Sequence, residues 1–283
     1  METKSYNVFA ELGISCFKLD AYNGIRKNKF GKRFLYHLIL TIIIFLLATV
    51  IPYAMFVAKT GGVQGIVEQY VPDFELSEDG YLTMDEPFKW EEEGILVMID
   101  TDAEFINYEG EFFRYDYWTD ELESLGYEED YTSVLLMDSE LMIAYTAEQG
   151  YREAYYDEIT EGLGGLDRET VIQLGNLFVV IGIVFMFVVT FCAILWGAFV
   201  NSIILLIVSS IMGGTNLPYM ELYTISLYAS TPFRLIAAIL SMLSVSIPFK
   251  SWIVLIAVAV YSSVILNKIK KDNAPQIPQM GVM

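Results

Sequence analysis

VIQLGNLFVVIGIVFMFVVTFCAILWGAFVNSIILLIVSSIMGGTNLPYM, residues 171–220, contains no charged side chain. A run of this length forms either one long helix or a tight hairpin of two, and the fold follows from which it is. About 20 apolar residues suffice to cross a hydrocarbon layer of about 30 Å. The answer comes from the rest of the chain.

Residues 34–58, FLYHLILTIIIFLLATVIPYAMFVA, are also without formal charge. Six bases precede them at Lys18, Arg26, Lys27, Lys29, Lys32 and Arg33, with a seventh at Lys4, against Glu2, Glu11 and Asp20. The excess of Lys and Arg places the N-terminus in the cytoplasm. A cleaved signal peptide is disfavoured by the long leading segment, the long apolar run and the lack of a small-residue cleavage site. At the other end Lys268, Lys270 and Lys271 follow the last apolar segment, so the C-terminus is cytoplasmic as well. Two cytoplasmic termini require an even number of crossings. One helix from 174 to 208 gives four crossings in all, whereas a hairpin would give five and place the terminal lysines outside. About 35 residues at about 1.5 Å each exceed the membrane thickness, so this helix projects on the cytoplasmic side.

The expected layout follows. Residues 1–33 form a cytoplasmic basic segment, 34–58 a first span, 59–173 an extracytoplasmic domain and 174–208 the long second span. A cytoplasmic loop covers 209–220. The third span, 221–243, is broken near Pro232, the fourth is 251–267, and 268–283 is a cytoplasmic tail. The fold class is therefore a four-helix membrane protein carrying a small extracytoplasmic α+β domain. In the N-terminal segment Phe9, Leu12, Cys16 and Leu19 fall on one helical stripe. That stripe suits either an amphipathic helix on anionic lipid of the inner leaflet or a helix packed on the protein's own bundle.

Between Thr60 and Thr170 stand 31 Asp/Glu and four Lys/Arg, a charge of about −27, while the remainder carries five acids and 13 bases, about +8. A membrane separates two such characters. So acidic a chain is no partner for nucleic acid. The stretch PDFELSEDGYLTMDEPFKWEEEG, 72–94, shows the density of carboxylates, yet it alternates as a folded segment does. Asp79-Gly80 reads as a hairpin turn, GILVMIDT as a buried strand, and SVLLMDSELMIAYT as a second hairpin around Asp138–Glu140. TDELESLG reads as a short helix ended by Gly126, and YREAYYDEI as another.

Chemical motifs are few. Asp100-Thr101-Asp102 follows a strand as an aspartic-protease Asp does, but Asp102 stands where glycine is needed. Asp100, Asp102, Glu104 and Glu111 mimic calcium-loop spacing, but Phe105 occupies the glycine position. H-E-x-x-H, G-x-S-x-G and a Cys/His couple are missing. The single His37 and the cysteines Cys16 and Cys192 make neither a metal site nor a disulfide framework. No catalytic residue, metal or cofactor is expected.

Candidate partner-binding residues are the triplets Glu91, Glu92, Glu93 and Glu128, Glu129, Asp130, whose mutual repulsion attracts cations. The bland alternative is a solvated edge. Eleven tyrosines between Tyr70 and Tyr156 serve either an interface or the rim of a small core. In the membrane half the candidates are Asn201, Glu221, Tyr228, Thr231, Pro232 and Arg234. Proline breaks the helix, Ser/Thr re-satisfy freed carbonyls, and an arginine at that depth must face protein, water or a headgroup. Snorkelling to the interface is the structural alternative. Glu221 and Arg234 pair only if the segment bends.

ELYTISLYASTPF, 221–233, is similar to the Tyr-Ala-x-Thr-Pro-type signature of Yip-type membrane proteins. With the KNKFGKRFLY segment, the PDFELSEDGYLTM hairpin and the ILVMIDT strand, the layout resembles a Firmicute family of unknown function, some of whose members are labelled maltodextrin-utilisation proteins. Ser230 stands where an apolar residue is usual before Thr-Pro, and DTD where DT precedes small residues. The resemblance implies a Gram-positive plasma-membrane protein with four helices and no catalytic residue. Two functions remain open: an accessory or sensor protein whose acidic domain binds another membrane or surface protein, and a transport component working as an oligomer past Arg234 and Asn201.

Overall fold

The computed structural model describes residues 6–108, 111–117, 121–127, 131–160, 165–212 and 217–272. The chain divides into two compact units. One comprises Met1–Phe56 and Val180–Met283, the other Val57–Val179.

The first unit is helical. α1 (Val8–Phe17) is capped by Asn7, whose Oδ1 accepts from the Ala10 N–H at 2.6 Å. A one-turn 3₁₀ segment and the short α2 (Tyr22–Ile25) lead to α3 (Phe30–Phe45). A π-helical turn at Leu46–Val50 joins α3 to α4 (Ile51–Thr60). Pro52 has no N–H to give the preceding turn, and the wider π turn accommodates its ring without ending the helix.

The charge-free run is one helix, α7 (Arg168–Ile211), 44 residues long. At 1.5 Å per residue it measures about 66 Å. α8 (Tyr219–Ala229), α9 (Thr231–Met242) and α10 (Lys250–Asp272) complete the unit. Four segments are long and apolar enough to cross a membrane: Phe30–Tyr70, Arg168–Ile211, Tyr219–Met242 and Lys250–Asp272. α8 is the enclosed element, with Leu222 and Thr224–Ala229 all buried. Its neighbours in the core include Tyr22, Tyr36, Leu40, Ile194, Leu205 and Ile265. Outward faces carry large apolar side chains such as Phe178, Phe185, Trp196 and Trp252, all exposed. A contiguous apolar exterior of this kind is unfavourable against water.

The second unit is mostly β. α5 (Gly62–Tyr70) is preceded by Gly61 and begins at Gly62, both with positive φ. Gly175 lets α7 lie close to α5, because a Cβ there would meet Val63. β1 (Glu75–Leu76), β2 (Leu82–Thr83), β3 (Phe88–Glu92), β4 (Ile95–Ile99), β5 (Ala103–Tyr108), β6 (Glu111–Asp116), β7 (Glu121–Tyr127), β8 (Ser133–Met137), β9 (Leu141–Thr146), β10 (Gly150–Tyr155) and β11 (Leu166–Asp167) make three sheets, with α6 (Tyr156–Thr160) before β11. Their orders are β11-β1-β2, β10-β9-β8-β4-β3 and β5-β6-β7. β4 and β8 run parallel, and the remaining pairs are antiparallel. The parallel pair lies inside the five-stranded sheet, where Leu96, Val134 and Leu136 are buried, while Ile95 at the start of β4 is exposed. Leu96, Phe105, Phe112, Val134, Leu136 and Ile143 form the main core of this unit, and Leu76, Leu82 and Tyr156 a smaller one.

The hairpin at Gly80 (φ +83°) and the hairpin at Asp138 have the expected form. Two expected helices do not. Residues 121–127 form strand β7, paired with β6. Leu122 and Leu125 alone would give a two-turn helix little to bury, and the open edge of β6 supplies hydrogen bonds instead. In 151–159 the strand β10 continues to Tyr155, and only Tyr156–Thr160 is helical. The β propensity of the tyrosines and pairing with β9 prevail there. The domain expected as α+β is therefore a β-rich unit with short helices.

Candidate functional site

The interior of the helical unit is polar where α1, α3 and α8 meet. Phe9, expected on the buried stripe of α1, is 70% exposed, while Glu11 is 1% and Ser15 0% exposed. Glu11 is tolerated because donors surround it. Lys32 donates to its Oε1 at 2.6 Å, the Tyr228 hydroxyl to Oε2 at 2.9 Å, and the Asn28 amide to both oxygens at 3.1 Å. A buried carboxylate satisfied in this way is stable, and one missing a donor is costly. The α1 helix is thereby held on the protein's own bundle, the second of its two expected roles.

A second chain of hydroxyls continues from there. Ser15 Oγ and the Tyr36 hydroxyl are 3.0 Å apart, and the Tyr36 hydroxyl and Thr231 Oγ1 2.5 Å. The Tyr36 and Tyr228 rings stack with centroids 3.7 Å apart. The Tyr22 hydroxyl donates to the Ser15 carbonyl at 2.8 Å, and burial pushes its pKa upward, so it stays a neutral donor.

The Tyr228–Pro232 motif occupies the junction of α8 and α9. Tyr228 reaches Glu11 on α1 and Thr231 reaches Tyr36 on α3, and Ser230 Oγ donates at 2.7 Å to the Leu227 carbonyl. Pro232 sits in the first turn of α9, where a missing N–H is tolerated. Glu221 does not meet Arg234. It is ion-paired with Arg26, while Arg33 donates to the Met220 carbonyl and Thr224 Oγ1, both at 3.2 Å.

Arg234 points toward α7. Its Nη2 donates to the Ala193 carbonyl at 3.3 Å, and its Nε is enclosed with no hydrogen-bond partner among the described residues. It lines a cavity of about 570 Å³ between α7, α9, α10 and the 44–48 turn, together with Lys250, Trp196 and Trp252. Asn201, deep in α7, donates to Ser262 Oγ on α10 at 3.0 Å, and its Oδ1 is buried without a partner among the described residues.

A model of one protein family matches residues 9–266, from α1 into α10 and through both units. The chain belongs to the family described as protein of unknown function (DUF1189). No curated protein and no solved structure matches it. Within this DUF1189 chain the match takes in Glu11, the Tyr228–Pro232 junction and the cavity at Arg234.

In the β-rich unit Glu91, Glu92 and Glu93 are exposed at the β3–β4 hairpin. Glu93 (φ +47°) and Gly94 (φ +79°) form its two-residue turn. Positive φ at both central positions matches the right-handed strand twist. Lys89 lies 3.5 Å from Glu91. Glu128, Glu129 and Asp130 lie outside the described residues. Asp100 and Asp138 end strands β4 and β8 and are buried. Arg114 donates twice to Asp100 Oδ2 at 2.6 Å, and the Glu140 and Leu141 N–H groups donate to Asp138 Oδ1 at 2.9 and 2.7 Å. These are structural carboxylates holding turns. Among the described residues no group of three or more His, Cys, Asp or Glu is placed to hold a metal ion. The exposed Tyr117 hydroxyl donates to Glu104, which pushes its pKa up to about 12.

Sequence reading missed Glu11, Arg26, Lys32, Tyr36 and Lys250. A lone charge within the otherwise uncharged α1 was the available signal for Glu11.

Proposed function

We propose that the chain is a non-enzymatic, multi-pass plasma-membrane accessory or sensor protein whose acidic β-rich unit docks another membrane or surface protein. The reading has both termini in the cytoplasm and residues 59–173 outside. It also has the basic N-terminal segment facing anionic lipid, and it is compatible with a homo-oligomer. The observation that carries it is the charge partition: 31 acids and four bases between Thr60 and Thr170, against five acids and 13 bases elsewhere. Exposed apolar faces on α7 and α10 support a lipid surrounding. The resemblance to Firmicute proteins, some labelled for maltodextrin utilisation, and to Yip-type proteins supports a Gram-positive membrane setting. Exposure of Glu91–Glu93 at a hairpin tip supports an electrostatic contact, steered over the Debye length of about 8 Å at physiological salt.

The test is cross-linking in intact cells with the full-length tagged chain, followed by identification of captured proteins. Changing Glu91, Glu92 and Glu93 together to Lys should abolish capture while leaving the melting temperature unchanged. Unaltered capture at the same salt sinks the reading. Protease added to protoplasts should remove the β-rich unit and spare both terminal tags. A second reading, a transport component acting as an oligomer, is favoured by the half-satisfied Asn201 between α7 and α10. Solute flux in vesicles that is lost with Asn201→Leu would support it.

A further inference from the structure

Two cations share the cavity between α7, α9 and α10, and no acid lines it. Arg234 lies near the middle of the Tyr219–Met242 segment, where an unpaired guanidinium is costly in hydrocarbon. Among the described residues its guanidinium makes one hydrogen bond, to the Ala193 carbonyl, and its enclosed Nε makes none. Lys250 donates to Ser241 Oγ at 2.5 Å, a neutral partner that leaves its charge uncompensated. The described acids of the helical unit lie elsewhere. Glu11 binds Lys32, Glu221 binds Arg26, Asp20 binds Lys268, and Asp272 lies at the far end of α10. Among the described residues, then, no acid is left to supply a countercharge for Arg234 and Lys250 in this cavity.

The walls say what kind of anion it is. Ile44, Ala48, Val200, Val254 and Val258 are apolar, and the cleft opens beside Trp196 and Trp252 on the exposed apolar flank. A small hydrated anion gains nothing from such walls, whereas hydrocarbon does. Gly197 keeps the guanidinium in place, because a Cβ there would collide with Arg234 Nη2. An arginine so placed offers a planar fork to phosphate oxygens, with lysine as a second point charge.

We propose that this cleft binds an anionic phospholipid, its phosphate held by Arg234 and Lys250 and its acyl chains lying along the flank at Trp196 and Trp252. The proposal rests on the membrane setting above but not on the docking role of the acidic unit. Its failure therefore leaves capture by Glu91–Glu93 untouched, and the reverse also holds.

The experiment uses the full-length protein in a neutral maltoside detergent. Bound lipid is counted by native mass spectrometry, and melting is followed during titration with dioleoyl phosphatidylglycerol, dioleoyl phosphatidylcholine or inorganic phosphate. Phosphatidylglycerol should bind saturably and raise the melting temperature, with phosphatidylcholine at least tenfold weaker and inorganic phosphate without effect at millimolar concentration. Arg234→Gln and Lys250→Gln should each weaken phosphatidylglycerol about tenfold. Gly197→Ala, which keeps both charges but displaces the guanidinium, should do the same. Arg152→Gln, on the exposed strand β10 of the β-rich unit, should leave binding unchanged. If Arg234→Gln fails to fold, Lys250→Gln and Gly197→Ala decide the matter. Equal binding of the two lipids, full binding by the cleft variants, or equal protection by inorganic phosphate would each overturn the proposal.

Discussion

In the helical unit Glu11 is shielded from solvent and gathers Lys32, Asn28 and Tyr228 around one carboxylate, whereas in the β-rich unit Glu91, Glu92 and Glu93 stand exposed side by side. The same side chain obeys two rules in one chain. Where the exterior is apolar, charge is drawn inside and must be paired. Where the exterior is wet, charge stays outside, and the interior is built from Leu96, Phe112, Leu136 and Ile143. The difference teaches that a carboxylate's energetic weight here depends on which unit holds it, and substitutions can break or sharpen that contrast.

The largest effect is expected at Glu11. Glu11→Ala removes the carboxylate shared by Lys32, Asn28 and the Tyr228 hydroxyl. Among the described residues this leaves Lys32 only the Tyr6 carbonyl and Asn28 only the Tyr228 hydroxyl, and removing one partner of a buried pair costs about 3 kcal/mol or more. Thermal unfolding in detergent should fall steeply, with α1 the first segment to become protease-sensitive. A loss under about 1 kcal/mol would show that Glu11 behaves like a surface acid and would erase the contrast. Asp100→Asn comes next, as the acid of the β-rich unit that follows the rule of the helical one. Its partner Arg114 is 27% exposed and also lies 3.5 Å from Glu123, so the cost should be nearer 2 kcal/mol. Denaturant unfolding of the full chain, followed by proteolysis within 57–179, measures it.

Tyr36→Phe removes the hydroxyl between Ser15 and Thr231 but keeps the ring stacked on Tyr228. About 1 kcal/mol should be lost, the scale of a hydrogen bond whose partners can rearrange. Thr231→Val should cost a similar amount, and the double variant less than the sum, since the two groups share one bond.

The smallest effect is at Asp167, which caps α7. The Thr170 side chain and N–H hold its carboxyl below the usual carboxylate range. A carboxyl with a lowered folded pKa contributes stability above its unfolded pKa and loses it as pH falls through the folded value. Hydrogen-exchange protection in the first turn of α7, measured against the intrinsic rate at each pH, should therefore fall on acidification below about pH 4, the ordinary Asp range. Asp167→Asn should remove that response.

Much of the β-rich unit was legible because its signals are local. Asp79-Gly80 specifies a turn by backbone freedom at Gly80, and the apolar alternation of 133–146 specifies β8 and β9 around Asp138. Strand β7 was not legible, since TDELESLG reads as helix until β6 offers it an edge. The helical unit divides in the same way. Pro232 and the Ser230 back-bond belong to one turn and were readable. Glu221 was readable as a charge at a helix start, but its partner Arg26 lies 195 residues away.

Hydropathy determined the long apolar segments, the lysine and arginine asymmetry with crossing parity determined one helix at 174–208 in place of a hairpin, and composition determined the division into an acidic middle and basic flanks. These depend on free energies summed along contiguous residues, which sequence records directly. Only the tertiary structure decided that α1 turns Glu11 and Ser15 inward, that Tyr228 joins them from 217 residues away, and that Arg234 and Lys250 face one cavity without an acid. Burial and pairing of a charge depend on what packs across from it, and that neighbour is fixed by the fold rather than by position along the chain.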